Sequence, residues 1–218
     1  MTNLTTVNNK KMLKLATAIT LSIAAVSSAY AHADNEKVIE QEISLEGASQ
    51  FHLEANVGSV KLIPSTDGQI HVYVKVSEKA GWGIFKDKPA DAKLNIERAN
   101  GKVIVSLNDD EYGEEWKVSV PQVSLIDADL GVGEMESRGI NSNLKLDVGV
   151  GEATVIASAN AYMSAKGQAG VGAADVRSAT GKVYTDRAMV SEEVSWSGKG
   201  EYSIDVEVGV GDISIKLN

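Results

Sequence analysis

Leu130-Gly131-Val132-Gly133-Glu134 is a five-residue word that this chain repeats. It returns as Val148-Gly149-Val150-Gly151-Glu152, as Ala169-Gly170-Val171-Gly172-Ala173 and as Val208-Gly209-Val210-Gly211-Asp212, with a fainter copy at Val57-Gly58-Ser59. Gly133 and Gly151 are 18 residues apart, Gly151 and Gly172 are 21 apart, and Gly172 and Gly211 are 39 apart, about twice the shorter steps. Self-similarity at such a period is the mark of one small unit stacked on itself. The spacing predicts coils of about 18–21 residues, with one degenerate turn near Val190 to Val194.

The phase of each word predicts a corner. With Val148 and Val150 inward, the next inward residues are Ala153 and Val155, a step of three instead of two. The same step recurs at Val57, Val60 and Leu62, at Val132, Met135 and Ser137, at Val171, Ala174 and Val176, and at Val210, Ile213 and Ile215. Two adjacent residues then face outward in each copy, which is a bulge or corner. Gly58, Gly133, Gly151, Gly172 and Gly211 are the expected structural corner residues, because glycine accepts positive φ. Glu134, Glu152 and Asp212 share one place in the word. They read either as a ladder for calcium or sugar, or as solvated corner residues that discourage edge association. Ser59 and Ala173 at the same place favour the second reading.

Outward from the words, Val, Ile, Thr and Ser dominate and alternation at period two is common, so the chain reads as all-β. His71 to Val76 is a strand; Leu94 to Ala99 and Lys102 to Leu107 flank Asn100-Gly101, the signal for a type I′ hairpin. Trp116 to Val120 is another strand, ended by Pro121. Residues 34–121 are therefore expected to be partly antiparallel strands with a hairpin, and 122–218 the repeats of the same single domain.

The first 33 residues are set apart as a signal peptide. Lys10, Lys11 and Lys14 precede an apolar run from Leu15 to Val26, and Ala29-Tyr30-Ala31 and Ala31-His32-Ala33 are cleavage-type sequences. The run is shorter than the ~20 residues that span a bilayer. Export to the periplasm or exterior is expected. Removing it takes three of the 21 basic residues and none of the 30 acidic ones, so the formal charge moves from −9 to about −12. That sign argues against nucleic acid and anionic lipid as partners. There is no Cys for disulfides or for lipid attachment, so the expectation is a protein neither membrane-spanning nor lipidated.

These residues resemble the bacterial envelope family named "putative adhesins", a domain of unknown function. The resemblance rests on Trp116-Lys117-Val118-Ser119-Val120-Pro121 followed by the units Asp129 to Met135, Asp147 to Val155, Ala169 to Val176 and Asp205 to Ile215, and it covers about residues 40–218. It implies a right-handed parallel β-helix or β-roll solenoid at or outside the cytoplasmic membrane. It brings no catalytic or binding residue with it.

The sequence lacks the common reactive motifs. No Gly-x-Ser-x-Gly elbow, His-Glu-x-x-His, P-loop or Gly-x-Gly-x-x-Gly occurs. His52 and His71 alternate with apolar neighbours and are expected to point outward from strands. No catalytic, cofactor or metal residue is assigned, and no cofactor is expected. The acidic run Asn108 to Glu115 reads as a solvated turn, with calcium binding as the other reading. Trp82, Ile84 and Phe85 lie in a Gly-flanked stretch beside lysines. They form the candidate contact surface, or else a cap for an open end of the stack. The expected function is that of a non-enzymatic exported envelope protein acting by surface contact, adhesin-like or accessory to envelope maintenance, with an envelope protein or polysaccharide as partner. The alternatives are an exterior ligand-, ion- or polysaccharide-binding module and, behind it, a polysaccharide-active enzyme.

Overall fold

The words lie side by side. Strands β3 (Gln50–Pro64), β8 (Leu125–Arg138), β9 (Asn143–Ala157) and β14 (Tyr202–Leu217) each contain one word near the middle, and β10 (Tyr162–Val171) ends on another. All five are parallel, in the spatial order β3-β8-β9-β14-β10. Gly58 pairs with Gly133, Gly133 with Gly151, and Gly151 with Gly211. The structure is a computed structural model that describes residues 28–31, 36–78 and 88–218.

The other strands flank this block. On one side stand β1 (Ser28–Ala31), β2 (Glu36–Ile43), β4 (Ile70–Glu78) and β7 (Tyr112–Val120), antiparallel to one another, with β7 parallel to the second half of β3. The hairpin of β5 (Leu94–Ala99) and β6 (Lys102–Leu107) joins the first half of β3 through β6. Its turn residues Asn100 and Gly101 have φ of 53° and 76°, as a type I′ turn needs. On the other side β13 (Ser191–Ser197) is antiparallel to β10, and β12 (Lys182–Ala188) is antiparallel to β13. Strand β11 (Ala174–Ser178) continues from β10 and pairs with β14. The sheet is all-β, mixed and not closed; among the described residues the only helical pieces are 3-10 turns at Pro89–Asp91 and Ala159–Ala161.

Each long strand is bent at its word, so both halves face one core. In β9 the first half buries Leu144, Leu146 and Val148 and the second half Ala153, Val155 and Ala157. β8 and β14 do the same with Ile126, Ala128, Leu130 and Met135, and with Ile204, Val206, Val208, Ile213, Ile215 and Leu217. At ~25 cal/mol per Å² of apolar surface, these rows supply the main drive for folding in a chain without disulfides.

The bend differs from the expected phase. Val132, Val150, Val171 and Val210 are not inward; each is 46–49% exposed. Four residues, not two, separate the inward ones, as from Leu130 to Met135. The reason lies in the neighbouring backbone. The second glycine of each word has φ between 137° and 146°. A Cβ on Gly133 would collide with the carbonyl oxygen of Gly58, and one on Gly131 would lie 2.6 Å from the carbonyl oxygen of Asn56. Both glycines are thus dictated by the next strand's carbonyls, and the valine between them takes the outer side of the bend. The 39-residue gap also has a different cause: it holds the antiparallel hairpin β12–β13 and not a worn coil.

The strands that close the parallel block on its two sides share a device. β7 carries buried Trp116 and Glu114, and β13 carries buried Trp196 and Glu192. Glu114 accepts from the backbone N–H of Asn56 at 3.1 Å, from its side-chain amide at 3.3 Å and from Trp116 Nε1 at 2.6 Å. Glu192 accepts from the backbone N–H of Ala174 at 3.3 Å and from Arg187 at 2.7 and 2.8 Å. Both carboxylates thus reach bend amides at the ends of the stack, where a buried amide needs an acceptor.

Candidate interaction surface

Period two places two rows of side chains outside the first halves of the long strands. One row runs Glu54, Asp129, Asp147, Glu207, Gln168 and Glu193 across six neighbouring strands. The row beside it runs His52, Asp127, Lys145, Asp205 and Lys166. Neighbouring strands are ~4.8 Å apart, so the first row sets like charges directly across from one another. The second row alternates in sign and offsets part of that repulsion.

The contacts centre on Lys145 and His52. Lys145 Nζ lies 2.5 Å from Asp147 and 3.3 Å from Asp127. Those two carboxylates hold the ammonium above its ordinary pKa, the hydrogen bond to Asp147 first. His52 lies 3.1 Å from Glu54, 3.3 Å from Asp127 and 3.5 Å from Asp129. Partial burial pushes the Asp129 carboxyl up, Asp127 and Asp147 add to the rise, and His52 opposes it. Asp127, Asp129 and Asp147 come close enough together for three oxygens to meet one ion. Lys145 already stands against two of them, so the cluster holds its own counter-charge.

Beside this row is a shallow groove of about 360 Å³. Asp129, Asp147 and Glu207 form one wall; Gly131, Gly149 and Gly209 leave its floor as bare backbone. Beyond the glycines stands the valine ridge of the bend, with Val57, Val132, Val150, Val210 and Val171 stacked in register. Then come Ser59, Glu134, Glu152 and Asp212, also in register. Asp212 accepts from the backbone N–H of Ala173 at 2.9 Å. One face therefore carries acid, bare backbone, aliphatic ridge and acid as parallel stripes.

The other candidates read from the sequence separate from this face. Trp82, Ile84 and Phe85 lie outside the described residues. In the acidic run, Asp109 accepts from the backbone N–H of Glu111 at 2.9 Å, and from Tyr112 onward the residues belong to β7. Half of the expected turn is thus strand, and Glu114 points inward. His71 bonds Asp67 at 2.7 Å, and Ser65 donates to the same carboxylate at 2.7 Å. The Ser65 bond first, then one from the backbone N–H of Gln69 at 3.1 Å, then the His71 bond hold Asp67 down to about 2. The order is Ser–Asp–His, so the carboxylate, not the imidazole, receives the hydroxyl proton's hydrogen bond, and no nucleophile is activated there. Sequence reasoning misses the Asp127–Asp129–Asp147 cluster; its signal is Asp-x-Asp, Lys-x-Asp and Asp-x-Glu just before three of the words.

No protein-family model matches the chain, and no curated protein matches it. Among solved structures it is similar to a Clostridium sporogenes protein named "putative cell adhesion protein", at 20% identity and a TM-score of 0.52, over 84% of this chain and 100% of that one. A Bacteroides fragilis protein named "putative adhesin" aligns at 10% identity and a TM-score of 0.28, over 82% of this chain and 96% of the other. The first likeness is one of fold. No helix among the described residues is long and apolar enough to cross a membrane.

Proposed function

We propose that this chain is a non-enzymatic, exported envelope protein that works by surface contact through the striped face of its parallel strands. The observation that carries the reading is the acidic row Glu54, Asp129, Asp147 and Glu207 beside a bare groove and an exposed valine ridge. Stacked like charges cost stability, and a rigid sheet holds them at fixed spacing. Such a row suits a basic or polyhydroxylated surface better than a small reactive substrate. On this reading the long bent strands are coils of a short β-roll of the solenoid type, residues 34–218 act as one domain, and residues 1–33 are the export signal, with which strand β1 is removed from the edge of β2. The shared fold of the protein named for cell adhesion supports the adhesin-like reading, though a fold alone does not give function.

The test is attachment. Cells displaying the protein are washed from surfaces coated with basic protein or with neutral polysaccharide, beside cells displaying Glu54→Gln/Asp129→Asn/Asp147→Asn/Glu207→Gln. The reading expects wild-type cells to be retained and the neutralised variant to be lost, with its melting temperature undiminished. Equal retention of both would refute it. Retention on polysaccharide alone that survives neutralisation favours the ligand-binding alternative through the groove and ridge.

A further inference from the structure

The free edge of the sheet at β12 presents a second, self-complementary surface. Among the described residues β12 pairs with β13 alone, and all seven of its residues are exposed. Val183, Thr185 and Arg187 stand opposite Trp196, Val194 and Glu192 of β13, so they extend the core-facing side of the sheet past the last covered strand. Tyr184 is 60% exposed, and at the adjoining turn Val190 and Met189 are 63% and 102% exposed. An edge strand with apolar side chains on both faces is a template for another strand.

We propose that the occupant of this edge is a second copy of the chain, paired antiparallel through β12 about a two-fold axis at Tyr184. The charges select the partner and the register. With Tyr184 opposite Tyr184 of the other copy, Lys182 stands opposite Asp186 in both directions, and Val183 stands opposite Thr185. Shifting the axis by one residue, to Thr185, sets Val183 against Arg187 and leaves Lys182 opposite Ala188. Neither Lys182 nor Asp186 has an ion pair or side-chain hydrogen bond among the described residues. Asp186 instead faces Glu193 across the hairpin, a like charge that an incoming lysine would relieve. A two-fold pairing is isologous and closes on itself, so it ends in a dimer and not a fibre. A contact of one seven-residue strand is small, so the dimer is expected to be weak and to form only at high concentration. The edge adjoins the striped face at Glu193, but Lys182 and Asp186 are not among the residues neutralised in the attachment test, so the two can fail separately.

Sedimentation equilibrium of the purified protein tests it, with Lys182→Asp and Asp186→Lys run singly and as an equal mixture. Wild type should dimerise with rising concentration. Each single variant should dimerise at least tenfold more weakly at low salt, because both cross-pairs become repulsive. The mixture should recover a heterodimer, since Asp at 182 then meets Lys at 186. A wild type monomeric to millimolar concentration, single variants that dimerise normally, or a mixture that recovers nothing would each overturn the proposal.

Discussion

Gly133 has two reasons to be glycine, and they can be separated. Its φ of 141° is hostile to any Cβ, and a Cβ would also meet the Gly58 carbonyl. Gly131 has only the second reason, with 2.6 Å to the Asn56 carbonyl oxygen. Gly133→Ala is expected to destabilise by ~2 kcal/mol or more and Gly131→Ala by less, read as urea midpoints. Equal losses would mean that the φ value is not what fixes the residue. Asp129 gives the opposite sign. Its folded pKa lies above the ordinary 3.8, so at neutral pH the folded state pays to keep it charged. Asp129→Asn should therefore raise the melting temperature at pH 7, and only modestly, because solvent screens this half-exposed carboxylate. The gain should fade as pH falls through the folded pKa toward 3.8, where wild type itself takes up the proton. A lower melting temperature at pH 7 would contradict this. The glycine positions were legible in the sequence because steric demand leaves a residue-level signal. The exposed valines were not: alternation predicts them inward, and only the bend, made by contact between strands, turns them out.

At the scale of elements, the hairpin at Asn100-Gly101 and the strand ending at Pro121 were readable because turn chemistry is local. The order of the parallel strands was not. The word at Val208 looks like its fellows, yet β14 enters between β9 and β10, and nothing in a repeat encodes which neighbour it takes. The consequence is that the last strand of the chain is central to the sheet. Truncation before Tyr202 should abolish cooperative unfolding, because β9 and β10 each lose a parallel partner. A truncated chain that still melts in one sharp transition would refute that. The β13 closure makes an acid-dependent prediction. Two bonds from Arg187 hold Glu192 below its ordinary 4.5, so its stabilisation is present above that pH and is lost as pH falls through the lower folded value. Arg187→Gln should thus melt earlier than wild type at pH 7, and the difference should shrink below pH 4.5. A difference independent of pH would assign Arg187 a packing role instead.

At the scale of the whole molecule, the bends make one sheet serve as both walls of its own core, and the repeat carries the same outer pattern to the same height on successive strands. That is how single residues scattered from Glu54 to Glu207 become continuous stripes. The all-β class and the parallel pairing of the word-bearing strands could be read from the words, since stacking is what repeats do. The acidic row could not, because Glu54 and Glu207 become neighbours of Asp129 and Asp147 only through the strand order. The chain has no cysteine, so that order can be trapped directly. Glu152 and Asp212 are partners on adjacent strands, 60 residues apart in sequence, whereas Ala173, 21 residues from Glu152, lies one strand further on. Oxidation of Glu152→Cys/Asp212→Cys should form an intramolecular disulfide, since neighbouring strands are ~4.8 Å apart, and Glu152→Cys/Ala173→Cys should not, at about twice that. A disulfide in the second pair and none in the first would contradict the stacking order on which the striped face depends.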